Sequence, residues 1–161
     1  MNPDVPDFVK LLDRLNRARV DYVVVGGVAV GFNGYVRTTE DLDILIDDGP
    51  DNVRRLAEAL AGFGEGFGGG LNAGDFPPEE GAVRILEQDC PLDIFNRMKG
   101  RTYADLLPQS LEKQVPGVQG TVRHLGRRAL WELKKDSFRD KDRADADVMD
   151  RLERGLGLEQ G

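Results

Sequence analysis

The 161-residue chain is poor in the residues that build cross-links and ligand cages: it has one cysteine, one histidine and one tryptophan. Cys90 on its own cannot close an internal disulfide, and with His124 as the sole imidazole a zinc cluster is excluded. Long hydrophobic runs are missing too. No stretch approaches the ~20 apolar residues that a membrane helix needs. The opening Met1–Phe8 segment is acidic and lacks the basic-then-apolar layout of a secretory leader. Positive charge is in deficit, with 22 lysines and arginines against 29 acids and a net charge of −7. Long polyanions are repelled by such a chain unless a local basic face compensates. The expectation is a cytoplasmic protein whose partners include neither membrane nor duplex DNA. What remains is an ordinary globular composition, 40% hydrophobic and 32% charged, and a length that fits one domain with a real core.

Periodicity divides the chain. Phe8, Leu11, Leu12 and Leu15 recur at i, i+3, i+4 and i+7, the spacing of an amphipathic helix, and Pro3 or Pro6 suits its first turn. Tyr22–Val25 is a short β-branched run closed by Gly26-Gly27, which reads as a buried strand with a tight exit. Val28 to Phe32 then reads as a short helix starting on those glycines. Leu42, Ile44 and Ile46 alternate with Asp41 and Asp43, the period of a strand. Asp48-Gly49-Pro50 is a turn, and Val53, Leu56, Ala57 and Leu60 mark a second amphipathic helix. Between Gly62 and Gly74 more than half the residues are glycine, which predicts a mobile loop. Val83–Glu87 and Leu92–Phe95 read as strands of a hairpin, and Thr121–Leu125 as another strand. The end, from Arg128, reads as two helices. The sheet core is expected over about 20–98 and the closing helices over about 127–155.

Gly64 to Gly69 satisfies G-x-G-x-x-G, the dinucleotide fingerprint. It follows a helix and opens none, so the mechanism behind that fingerprint is absent and the segment is a loop. Gly26-Gly27 is better placed, at a strand end, where bare backbone N–H groups can approach a phosphate; the plainer reading is a strand-ending turn. Asp41 and Asp43, two apart on a strand, project from one face. Held ~5–7 Å apart they repel by roughly 2–3 kcal/mol at an effective dielectric near 20. A cation relieves that repulsion, and magnesium takes one or two carboxylates plus phosphate oxygens; a solvated acidic strand face is the alternative. Asp93, between Leu92 and Ile94, is a third acid on a strand, where a charge costs free energy unless paired. His124 reads as a packing or surface residue, Cys90 as inert, and Trp131 as core or interface.

Taken together, Gly26-Gly27, the run Arg37-x-Thr39-x-Asp41-x-Asp43 and the later Asp93 resemble the DNA polymerase β-like nucleotidyltransferase superfamily, and look closest to its bacterial abortive-infection-type and antibiotic-modifying members. Lys134, Arg139, Asp142 and Asp145 are similar to the Lys…Arg-x-x-Asp-x-x-Asp tail of that group; a salt-bridged surface helix, with Asp147/Arg151 and Asp150/Arg154 as i,i+4 pairs, is the other reading of this end. The resemblance implies an α+β nucleotidyltransferase fold, a mixed β-sheet with helices packed on it and the acids on its exposed face. It implies transfer of a nucleoside monophosphate from a nucleoside triphosphate such as ATP to a hydroxyl, with Mg2+ or Mn2+ held by Asp41, Asp43 and Asp93. Gly26 and Gly27 would cradle the triphosphate, and Arg37, Thr39, Lys134 and Arg139 would contact nucleotide. The acceptor is expected to be a small molecule, a protein, as in toxin–antitoxin systems, or a short RNA end. A second copy of the chain or a separate partner protein would complete the site. A catalytically inactive binding or regulatory module on the same fold is the competing expectation.

Overall fold

The computed structural model describes residues 7–35, 39, 41–63, 66–79, 81–86 and 90–156. Helix α1 (Asp7–Arg17) leads into β1 (Tyr22–Val25), and α2 (Gly26–Phe32) starts on the next residue. Then come β2 (Leu42–Ile46), α3 (Pro50–Ala59), β3 (Ala82–Ile85) and β4 (Leu92–Phe95). A small hairpin of β5 (Arg97–Met98) and β6 (Arg101–Thr102) runs into α4 (Tyr103–Leu106), followed by β7 (Ser110–Lys113) and β8 (Val122–Leu125). The closing helices are α5 (Arg127–Lys134) and α6 (Asp140–Glu153), packed on one another.

Six strands form one mixed sheet in the order β3-β4-β2-β1-β8-β7. β1 runs antiparallel to β2 and parallel to β8, β2 runs parallel to β4, and β3 and β7 are antiparallel edge strands. This is the expected α+β class. The sheet continues past residue 98, because β7 and β8 extend the side of β1 that β2 leaves open. Both faces of the central strands are covered. Val23, Val24, Val25, Ile44 and Leu45 are all fully buried; β1 is thus a continuous apolar run, and β2 is one interrupted by Asp43. Each fully buried Val, Leu or Ile contributes about 1.5–3 kcal/mol, and Leu12 and Leu15 of α1 and Leu56 of α3 close the core.

Two segments differ from expectation for visible reasons. The glycine-rich stretch is folded over much of its described length. Gly68–Gly70 and Ala73–Asp75 are 3-10 turns, Asn72 and Asp75 cap each other's backbone amides, and Phe76 is buried. The 97–102 hairpin had no strand-length signal. Its turn residues, Lys99 and Gly100, carry φ of 50° and 75°, the left-handed pair that a two-residue hairpin demands.

Candidate active site

Strand register assembles the site. Val25 of β1 pairs with Asp43 of β2, Asp43 pairs with Asp93 of β4, and Asp93 pairs with Arg84 of β3. Paired residues on adjacent strands share a face, so one row across the sheet reads Val25, Asp43, Asp93, Arg84. The next row, Val24, Ile44, Ile94 and Val83, is apolar and points to the other face. Two acids that are 50 positions apart in sequence thus become direct neighbours. Asp41 lies just before β2, two residues from Asp43 on the same side.

Asp43 is the most perturbed member. Burial pushes its carboxyl up to about 7, helped by a shared hydrogen bond with Asp93 and by repulsion from Asp93 and Asp41, while the Lys134 ammonium pulls it back down. At ~5 Å and an effective dielectric near 20, two such carboxylates repel by about 3 kcal/mol. Asp43 Oδ1 is buried with no hydrogen-bond partner among the described residues. An orphaned, electron-rich oxygen between two further carboxylates is the donor chemistry of a hard divalent cation.

Gly26 is what lets Asp43 sit there. Its φ is +69°, and a Cβ at this position would lie 2.1 Å from Asp43 Oδ2. The glycine at the strand exit therefore makes room for the acid. Val25, the residue before α2, offers no side-chain cap, so the first-turn amides of α2 rely on other partners.

Arg84, which sequence reasoning missed, spans the outer side of the acids. Its Nη1 donates to both Asp93 oxygens, at 2.9 Å and 3.2 Å, and its guanidinium reaches Asp41 through two contacts of 3.4 Å. The acid on Asp93, together with Asp41, holds the guanidinium firmly in its charged form. The signal was present in the hairpin: an arginine alternating with Val83 and Ile85, at the position that faces Asp93 when the two strands pair. Among the described residues no group of three or more acids, histidines or cysteines is placed so that it could hold a metal ion as it stands. Carboxylates are the donor type a hard cation takes, and Arg84 now occupies two of the three, Asp41 and Asp93.

Lys134 ends α5 and is committed to α6. Its Nζ lies 3.0 Å from Asp145 and 3.2 Å from Asp142; the Lys134 side chain is 12% exposed and that of Asp145 1%. Removing one partner of so buried a pair costs about 3–5 kcal/mol. Lys134→Ala is therefore expected to lose about 3 kcal/mol of stability by urea denaturation. A loss below about 1 kcal/mol would show that the ammonium is not holding α5 to α6. Arg139, before α6, is exposed and lies 3.8 Å from Asp142, leaving it open to a ligand. The pairs Asp147–Arg151 and Asp150–Arg154 form as helix-surface bridges. Thr39 donates its hydroxyl to the Asp41 carbonyl, and Arg37 lies outside the described residues. His124 is buried edge-on against Phe32, 5.3 Å between ring centres, Cys90 is buried, and the Trp131 ring carries the Arg128 guanidinium and the Lys135 ammonium against it.

The chain path is similar to solved structures of two proteins. A candidate nucleotidyltransferase of Thermotoga maritima aligns over 92% of this chain and 85% of its own, at 14% identity and a TM-score of 0.47. An antigenic nucleotidyltransferase-like protein of Paracoccidioides brasiliensis aligns over 89% and 73%, at 17% identity and the same TM-score. No family model matches the chain, and no curated protein matches its sequence. Identities this low leave the side chains of this site to carry any assignment of chemistry. No helix among the described residues is long and apolar enough to cross a membrane.

Proposed function

We propose that this chain is a metal-dependent nucleotidyltransferase, transferring a nucleoside monophosphate from a nucleoside triphosphate to a hydroxyl acceptor. The observation that carries the reading is the in-register pair Asp43–Asp93, with a buried oxygen of Asp43 left unpartnered. Asp41, Asp43 and Asp93 are the residues that would hold the cation, Mg2+ or Mn2+. That cation would supply Lewis-acid neutralisation of charge on the transferring phosphoryl group. Gly26 and Gly27 open α2, whose preceding Val25 supplies no side-chain cap, and first-turn amides there would donate to phosphate oxygens. Arg139, exposed at the start of α6, would add a charged donor for the phosphates. Asp93, flanked by Asp43 and Arg84, receives the proton of the attacking hydroxyl. Lys134 holds α5 against α6 and offsets the negative charge around Asp43. Fixed charges of this kind do the positioning and electrostatic work that dominates phosphoryl-group chemistry.

The second reading, a non-catalytic binding module, is favoured by Arg84, whose bridge to Asp41 and Asp93 would make the acids structural. Incubation with each of the four labelled triphosphates, magnesium or manganese, and cell extract separates the two. The transferase reading requires metal-dependent release of pyrophosphate and a labelled product; a binding module captures a partner with no turnover. The acceptor is a small molecule, a protein side chain, as in toxin–antitoxin pairs, or a short RNA end. Duplex DNA is not expected to bind in the submicromolar range, given 29 acids against 22 basic residues. A salt slope of about −5 or steeper in a duplex titration, at about −0.9 per phosphate neutralised, would place the chain among duplex binders instead.

A further inference from the structure

Two cations serve the acid cluster among the described residues, and they differ in freedom. Lys134 is largely enclosed and fixed by two acids of α6. Arg84 is on the four-residue edge strand β3, its side chain 46% exposed, and reaches the cluster from outside. Its contacts to Asp93 are short, those to Asp41 are long, and the Asp41 bridge, with both side chains open to water, is weak. Together these contacts set the guanidinium against the same two carboxylates that the proposed cation would use. A planar guanidinium fork fits phosphate oxygens as well as carboxylate oxygens, so the group has an alternative partner of the kind the substrate brings.

We propose that Arg84 competes with the divalent cation for Asp41 and Asp93, and that it is a phosphate ligand of the incoming nucleotide, exchanging its carboxylate partners for the triphosphate. Resting on the nucleotidyltransferase reading, this deepens it by assigning a binding role to a residue of the edge strand. The exchange couples the two ligands: a cation alone must displace Arg84, whereas a cation arriving with a triphosphate offers the displaced guanidinium a new partner. Metal and nucleotide then bind better together than separately.

The test is calorimetric titration of wild type, Arg84→Gln and Arg84→Lys, first with Mn2+ alone and then with magnesium tripolyphosphate, a probe that carries the phosphates without a base. Arg84→Gln is expected to bind Mn2+ about three- to tenfold more tightly, because a competing charge is gone, and magnesium tripolyphosphate about three- to tenfold more weakly. Arg84→Lys keeps a charge but loses the fork, and is expected to fall between the two on Mn2+ while still losing tripolyphosphate affinity. Circular-dichroism melts confirm that each variant is folded, and Arg84→Lys serves should the glutamine variant unfold. Mn2+ bound by wild type with no gain in Arg84→Gln, or tripolyphosphate affinity unchanged in both variants, overturns the role of Arg84 and leaves the carboxylate site intact. Absence of Mn2+ binding in wild type and variants alike overturns the metal reading of the acids and this proposal with it.

Discussion

Asp43→Asn is expected to stop nucleotide turnover, by roughly 10²-fold or more, while making the protein without added cation more stable at pH 8. The second half follows from linkage. The folded-state pKa of Asp43, about 7, stands above its unfolded value near 3.8, so the native state holds the proton more tightly. That stabilising contribution is complete below about pH 4 and is lost as pH rises through 7, when a buried carboxylate must ionise beside two others. Wild type is expected to lose roughly 2–4 kcal/mol between pH 4 and pH 8 from this group. Asparagine keeps the shape, removes the charge and should flatten that slope, gaining about 1–3 kcal/mol at pH 8. Thermal melts at pH 5 and pH 8 with a chelator present measure both. A variant destabilised at pH 8 would make Asp43 a structural acid serving Lys134.

Gly26→Ala is expected to cost about 2–4 kcal/mol and to disable the site. The left-handed conformation costs an alanine about 1–2 kcal/mol. The new methyl would also collide with the whole Asp43 side chain, whose Oδ2, Cγ and Cβ lie 2.1, 2.8 and 2.9 Å from the Cβ position. Either Asp43 swings away or β1 separates from β2, and both misplace the carboxylate. Gly31→Ala is the matched control in the same helix. A Cβ there meets nothing within 4 Å, so alanine's better helix propensity should stabilise by up to about 1 kcal/mol. Denaturant melts of the two variants distinguish a specific clash from a general intolerance of α2. Equal effects would remove the link between Gly26 and Asp43.

The parts of this site that were legible in sequence are those with a local period. Asp41 and Asp43 stand out because they alternate with Leu42 and Ile44, Gly26-Gly27 because it closes a valine run, and Asp93 because a charge interrupts an apolar strand. The parts that were not legible depend on pairing between distant segments. That Asp93 lies directly beside Asp43 follows from the parallel pairing of β2 with β4, and nothing in either strand's own sequence specifies that register. Arg84 belongs to the site through the β3–β4 register, which sets it opposite Asp93. Lys134 matched a motif and was expected to meet phosphate. Its partners Asp142 and Asp145 come from the next helix, eight and eleven residues on, and their contact depends on how α6 folds back on α5. For Gly26 the sequence offers a strand-ending turn or a phosphate approach, and neither reading contains the carboxylate of the neighbouring strand that the missing Cβ admits.

The most direct measurement is a calorimetric titration of each magnesium–nucleoside triphosphate into wild type and Asp43→Asn, side by side at pH 8, where the wild-type acid is ionised. Binding of at least one triphosphate to wild type, dependent on the cation and lost in the variant, is the result expected of a carboxylate-centred nucleotide site. Affinity that is the same in both proteins, or the same with the cation chelated, would contradict it.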